Sequence, residues 1–123
     1  MKKTTRFAIG NDVVFVPAFK KSFSPLFKKR VFTEREIKQI EAYKANPIIR
    51  YASTWGAKEA VIKALRQLFG NRLGLAWKGI EIYRSGKIPI VIISDQRFKN
   101  VAFSLSLSHH QDYAFAVTLA YIV

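Results

Sequence analysis

The stretch I-I-R-Y-A-S-T-W-G-A-K-E-A-V-I-K-A-L-R-Q-L-F, Ile48 to Phe69, sets the frame of this chain. Ala57, Ala60, Val61, Ala64, Leu65 and Leu68 recur at the i, i+3, i+4, i+7, i+8, i+11 spacing of one buried helical stripe. The spacing predicts a helix from about Ile48 to Phe69, with Gly70 and Asn71 at its end. Glu59 and Lys63 fall on the opposite face, four apart in the favourable order for a surface ion pair. The large apolar Trp55 and Ile62 flank that polar face, which predicts a second contact surface there, for another subunit or a ligand.

Upstream, Thr33-Glu34-Arg35-Glu36 has the form of a capping box and predicts a helix to about Tyr43 or Ala45, ended by Asn46-Pro47. Phe19 to Phe32 interleaves Phe19, Phe23, Phe27 and Phe32 with lysines and is split by Pro25, so it reads as irregular or briefly helical. Arg6 to Val16 reads as an apolar strand broken at Gly10-Asn11-Asp12 and closed by Pro17. Downstream, strands are expected over Gly79 to Tyr83, Ile88 to Ser94, Val101 to Ser108 and Tyr113 to Ile122. Val101, Phe103, Leu105 and Leu107 alternate with Ala102, Ser104, Ser106 and Ser108, the period of a half-buried strand. Helices in the first half and hairpins in the second predict an α+β fold, with two helices packed on an antiparallel sheet in one domain over residues 1–123.

Half the residues are apolar, including ten Phe and five Tyr, enough for a real core. The absence of Cys fits a reducing compartment, and no stretch has the length to span a bilayer, so a soluble cytoplasmic protein is expected. A formal net charge of +13, from 21 Lys and Arg against 8 Asp and Glu, calls for an anionic partner.

Asp12 alone reads as an ordinary aspartate at a strand bend, and Glu59 with Lys63 as a surface pair. Together the two carboxylates make a candidate site for Mg²⁺, which takes one or two protein carboxylates and fills its shell with water and phosphate oxygens. No His/Cys cluster indicates zinc, and neither G-x-S-x-G nor a P-loop motif occurs. In Ser106-Leu107-Ser108-His109 sequence neighbours do not make a nucleophile and base pair, which leaves His109 as a phosphate contact or a solvent-facing turn residue. The Phe/Lys segment offers a nucleic-acid surface if its rings are exposed for stacking, and a piece of core if they are buried.

Four segments in order resemble the phosphopantetheinyl transferases of the holo-acyl-carrier-protein synthase type. I-G-N-D-V-V resembles the opening I-G-x-D-I-V, and R-V-F-T-E-R-E resembles R-x-x-T-x-x-E. W-G-A-K-E-A-V-I-K-A-L resembles F-A-A-K-E-A-x-x-K-A-L, and S-L-S-H resembles S-x-S-H. The resemblance implies transfer of the 4′-phosphopantetheine arm of coenzyme A to a serine of an acidic acyl carrier protein, with release of adenosine 3′,5′-bisphosphate, in the setting of fatty-acid biosynthesis. It implies Asp12 and Glu59 as Mg²⁺ ligands, Glu59 helping to deprotonate the serine, and Lys63 neutralising the diphosphate. Lys58, Lys63, Arg66, Ser108 and His109 are the expected coenzyme A contacts, and the family's small members imply a homotrimer with sites at subunit junctions.

The chain departs from the family pattern at several places. Phe15 and Ala18 stand where the family has Glu and a carrier-docking Arg, which leaves Lys20, Lys21, Lys28 and Lys29 as the docking candidates. Thr54 stands for an Arg, and Arg66-Gln67-Leu68 for Gly-Thr-Gly. The competing readings are a non-catalytic nucleic-acid module and a family member that binds carrier without turning it over.

Overall fold

The computed structural model describes residues 6–123. Strand β1 (Phe7–Phe15) leads into α1 (Val16–Ser22), α2 (Pro25–Val31), α3 (Glu34–Glu41) and the long α4 (Pro47–Phe69). A short 3-10 turn, Trp77–Gly79, opens the hairpin β2 (Ile80–Ser85) and β3 (Ile88–Ile93); β4 (Val101–His110) and β5 (Tyr113–Ile122) close the chain. The strands form two antiparallel sheets, one of order β1-β5-β4 and one made of β2 and β3 alone. The α+β expectation holds, but there are four helices rather than two, because Pro17 and Pro25 each start a short helix in its first turn.

The expected break at Gly10-Asn11-Asp12 is absent: β1 pairs with β5 without interruption, Gly10 opposite Thr118, Asn11 opposite Val117 and Asp12 opposite Ala116. The glycine serves packing instead. A Cβ on Gly10 would lie 1.8 Å from the backbone oxygen of Ala60 and 2.9 Å from the nitrogen of Ala64, so α4 rests directly on the strand. Alternation then turns Ala8, Gly10, Asp12 and Val14 toward the helix and their neighbours away.

Helix α4 is buried along both flanks. Val14, Phe19, Phe32, Ile40 and Tyr51 form one part of the core; Ala57, Val61, Ile62, Leu65, Ile80 and Ile82 form another. Ile62 is therefore not on an open contact surface, contrary to the wheel, because the β2–β3 hairpin packs on the flank of α4 that carries it, beside the open face of Glu59 and Lys63. Phe19, Phe23, Phe27 and Phe32 pack together and against Tyr51, so the base-stacking reading of this segment finds its rings turned inward. The α3 capping box is complete: Glu36 N donates to Thr33 Oγ1 (3.1 Å) and Thr33 N to Glu36 Oε1 (2.8 Å).

The far side of the three-stranded sheet is apolar and uncovered. Phe7, Ile9, Val13 and Phe15 of β1 lie opposite Tyr121, Leu119, Phe115 and Tyr113 of β5, with Phe7 66% exposed and Val13 58% exposed.

Gly10→Ala is expected to cost about 3 kcal/mol or more in urea denaturation, because the atom met is backbone and no rotamer relieves it. A loss below about 1 kcal/mol would mean that β1 and α4 separate easily.

Candidate active site

Asp12 reaches the face of α4 that carries Glu59 and Lys63, and the three line one cleft of about 510 Å³ with Phe15, Phe19, Phe27 and Trp55. Lys63 Nζ lies 3.2 Å from Asp12 Oδ1. Burial raises the Asp12 carboxyl above its ordinary value, and Lys63 offsets this in part. Burial also raises Glu59, the Asp12 charge adds to the rise, and Lys63 and Arg66 oppose it. Two half-buried carboxylates, one opposed by the other's charge, beside two cations, form a site that gains by receiving a cation between them and an anion against the lysine. Arg66 is exposed two turns further along α4, while Gln67 Nε2 donates to the Ile9 carbonyl (3.0 Å) and ties the helix end to β1.

Lys58 does not belong to this cleft. It is wholly buried, 2.9 Å from Glu36 Oε1, and its ammonium donates to the carbonyls of Trp77 (2.9 Å) and Ile80 (2.6 Å). The coenzyme A contact expected of it is ruled out by geometry: position 58 is about 100° around the helix from position 59, and that direction is inward. Trp55 does border the cleft, held between Phe27 (centroids 5.2 Å) and Trp77 (4.7 Å). Of the four lysines expected at the docking surface, Lys20, Lys21 and Lys29 are exposed, whereas Lys28 is ion-paired with Glu41, which also accepts from the Tyr51 hydroxyl.

Ser108 and His109 lie elsewhere. They line a second cleft of about 350 Å³ with Arg50, Ser53, Arg84 and Lys87. Within one chain the structure does not bring them to Asp12 and Glu59. Arg84 Nη1 donates to Thr54 Oγ1 (3.1 Å), and burial together with the nearby Arg50 charge makes its guanidinium easier to deprotonate than usual. Arg50 has its Nε buried without a partner, and among the described residues neither arginine has a carboxylate in salt-bridge range. A concave site with two arginines, a lysine and no acid in its lining suits a phosphate. Sequence reasoning missed Arg50, Arg84 and Lys87, which belong to no motif and meet only across the fold.

The family model of the 4′-phosphopantetheinyl transferase superfamily matches residues 8–118. The holo-[acyl-carrier-protein] synthase of Chlamydia trachomatis serovar L2 is 34% identical over 121 residues, covering 93% of this chain and 98% of that protein. That of Wolbachia pipientis subsp. Culex pipiens is 34% identical over 117 residues, covering 89% and 93%. The Chronobacterium ammoniagenes ACPS–CoA complex superposes with a TM-score of 0.84 at 25% identity, over 97% of this chain and 99% of that one. The Bacillus anthracis holo-(acyl-carrier-protein) synthase in complex with CoA (3′,5′-ADP) gives 0.79 at 26% identity, over 97% and 100%. With Asp12, Glu59 and Lys63 gathered in one cleft and the family model matched over residues 8–118, the chain belongs to the 4′-phosphopantetheinyl transferase superfamily and is an enzyme of the holo-acyl-carrier-protein synthase type.

Proposed function

We propose that the chain moves the 4′-phosphopantetheine arm of coenzyme A onto a serine of an acidic acyl carrier protein. The observation that carries this reading is the convergence of Asp12, Glu59 and Lys63, with both carboxyls raised by burial. The serine oxygen bonds to the phosphorus bearing pantetheine, the bond from that phosphorus to the bridging oxygen breaks, and adenosine 3′,5′-bisphosphate leaves with the bridging oxygen. Glu59 takes the serine proton, as a carboxylate in the cleft beside the reacting phosphate. Lys63 balances the charge gathering on the phosphate oxygens. The donor set fits Mg²⁺: Asp12 and Glu59 would hold it, and when bound it supplies further neutralisation of the diphosphate.

The cleft of Arg50, Arg84, Lys87, Ser108 and His109 is our assignment for the phosphorylated nucleotide end of coenzyme A. Because it is separate from the carboxylates in one chain, a complete site joins the two clefts of neighbouring copies. The uncovered apolar sheet face supports such a homotrimer, with the sites at its subunit junctions. Lys20, Lys21 and Lys29, with Lys28 once it leaves Glu41, present the basic face to the acidic carrier. Arg66, exposed on the same face of α4, extends the anion contacts beyond Lys63. Fatty-acid biosynthesis in the cytoplasm is the setting this reading implies; among the described residues no helix is long and apolar enough to cross a membrane.

Intact-mass analysis of an apo carrier incubated with the protein, coenzyme A and Mg²⁺ should show the gain of one phosphopantetheine, lost with a chelator. Glu59→Gln should slow transfer by about 100-fold or more. The folded carboxyl lies above its unfolded value, so its charged form burdens the fold at neutral pH, and the burden fades as pH falls through the folded pKa. The metal-free Gln variant should therefore melt at or above the wild-type temperature at pH 7, and a lower melting temperature would contradict the site electrostatics. Arg84→Gln should raise the coenzyme A KM by about 10-fold with little change in kcat, as expected of a charged partner lost from ground and transition states alike. The triple Ala variant at Lys20, Lys21 and Lys29 should lower kcat/KM for the carrier by about 10-fold at low ionic strength, with the deficit shrinking in salt.

A further inference from the structure

The one fully buried ion pair among the described residues, Lys58 with Glu36, lies directly behind the catalytic cleft and takes no part in the chemistry above. Every hydrogen-bonding direction of the Lys58 ammonium is used, by Glu36 Oε1 and the carbonyls of Trp77 and Ile80. Glu36 is equally committed: Oε1 also accepts from Thr33 N, and Oε2 accepts from Ile82 N at 2.8 Å. Four segments, the start of α3, the middle of α4, the 3-10 turn and β2, thus meet at one charge pair.

Stability alone does not call for such a pair. The cost of stripping water from two charges cancels much of their attraction, and apolar residues of similar volume hold a core as well. What directed hydrogen bonds add, and apolar contacts do not, is a fixed angle. Lys58 precedes Glu59 on α4, so fixing one fixes the rotation of the helix at the other. It also holds the backbone of Trp77, whose indole lies 4.7 Å from that of Trp55, a wall of the cleft. Trp55 is braced on its other side by Phe27.

We propose that Lys58, held by Glu36, is a positioning residue for phosphopantetheine transfer, locking the rotation of α4 at Glu59 and, through the Trp77 backbone, the Trp55 wall of the cleft. This rests on the functional reading given above. It assigns Lys58 an effect on turnover rather than on coenzyme A affinity, since its ammonium is turned away from both clefts.

The chain has two tryptophans and both are in this device, so their coupled near-ultraviolet circular dichroism reports its geometry without reference to activity. The variant to make is Lys58→Met with Glu36→Gln, which removes both charges together and avoids stranding either one. It should melt cooperatively, lose the wild-type tryptophan couplet, and show kcat about 10-fold or more below wild type with the coenzyme A KM within about twofold. A folded double variant with wild-type kcat, or with reduced kcat and an unchanged couplet, overturns the proposal. If the double variant does not fold, Trp77→Leu decides: it keeps the ion pair, and should lower kcat by itself. Unaltered turnover in that variant overturns the proposal. If the wild-type protein transfers nothing to any carrier, the functional reading fails, and the positioning role in transfer falls with it.

Discussion

Strand β1 and helix α4 touch backbone to backbone at Gly10, and the rest of the site follows from that contact. With Ala60 and Ala64 above and Gly10 below, no side chain keeps the two elements apart. Two residues along the strand on the same face, Asp12 arrives beside Lys63 and Glu59. A wider spacing would let water between the carboxylates and return both to ordinary surface acids. The closeness that makes the pair useful also makes it unfavourable when empty, since both charged forms are opposed by burial and Glu59 also by its neighbour. The scaffold sustains that opposition because the two flanks of α4 are buried independently in separate parts of the core.

Much of this was legible from local patterns. The capping box, the long helix with its apolar stripe, and both late hairpins depend on neighbours within a few residues, and the structure has them close to where the sequence puts them. The misreadings share a different cause. Gly10 looked like a bend because a glycine needed for close approach is the same residue as one needed for a turn. Ile62 was misplaced because a wheel with one buried stripe describes a helix covered on one side, and α4 is covered on two; Lys58, expected from the motif resemblance to contact coenzyme A, is turned into the second of those covered sides. Arg50 and Arg84 were invisible because their significance comes from a meeting across the fold, Arg84 reaching Thr54 thirty positions away. The carboxylates were paired as a Mg²⁺ site from their chemistry and the role of Lys63 came from the motif resemblance, whereas periodicity by itself offered only a surface ion pair.

The large positive charge also acquires an internal structure. Of the acidic residues, Glu36, Glu41, Glu81, Asp95 and Asp12 are each paired with a cation, Lys58, Lys28, Arg35, Arg97 and Lys63 in turn. Few carboxylates are left to screen the remaining lysines and arginines. The field outside the protein is therefore set by unpaired cations, while the acids are spent on holding helices, turns and the cleft in register.

The burial of Lys58 gives the protein an internal clock. In a chain rich in lysines, amine-directed reagents mark the surface side chains at once, whereas this amine stays shielded by α3, α4 and β2 together. Its three partners belong to different segments, so exposing it requires those segments to part. Acylation at this position thus accumulates only through openings that part α3, α4 and β2; a reagent slower than reclosing reads the population of the open form, and one faster than reclosing reads the rate at which these segments separate.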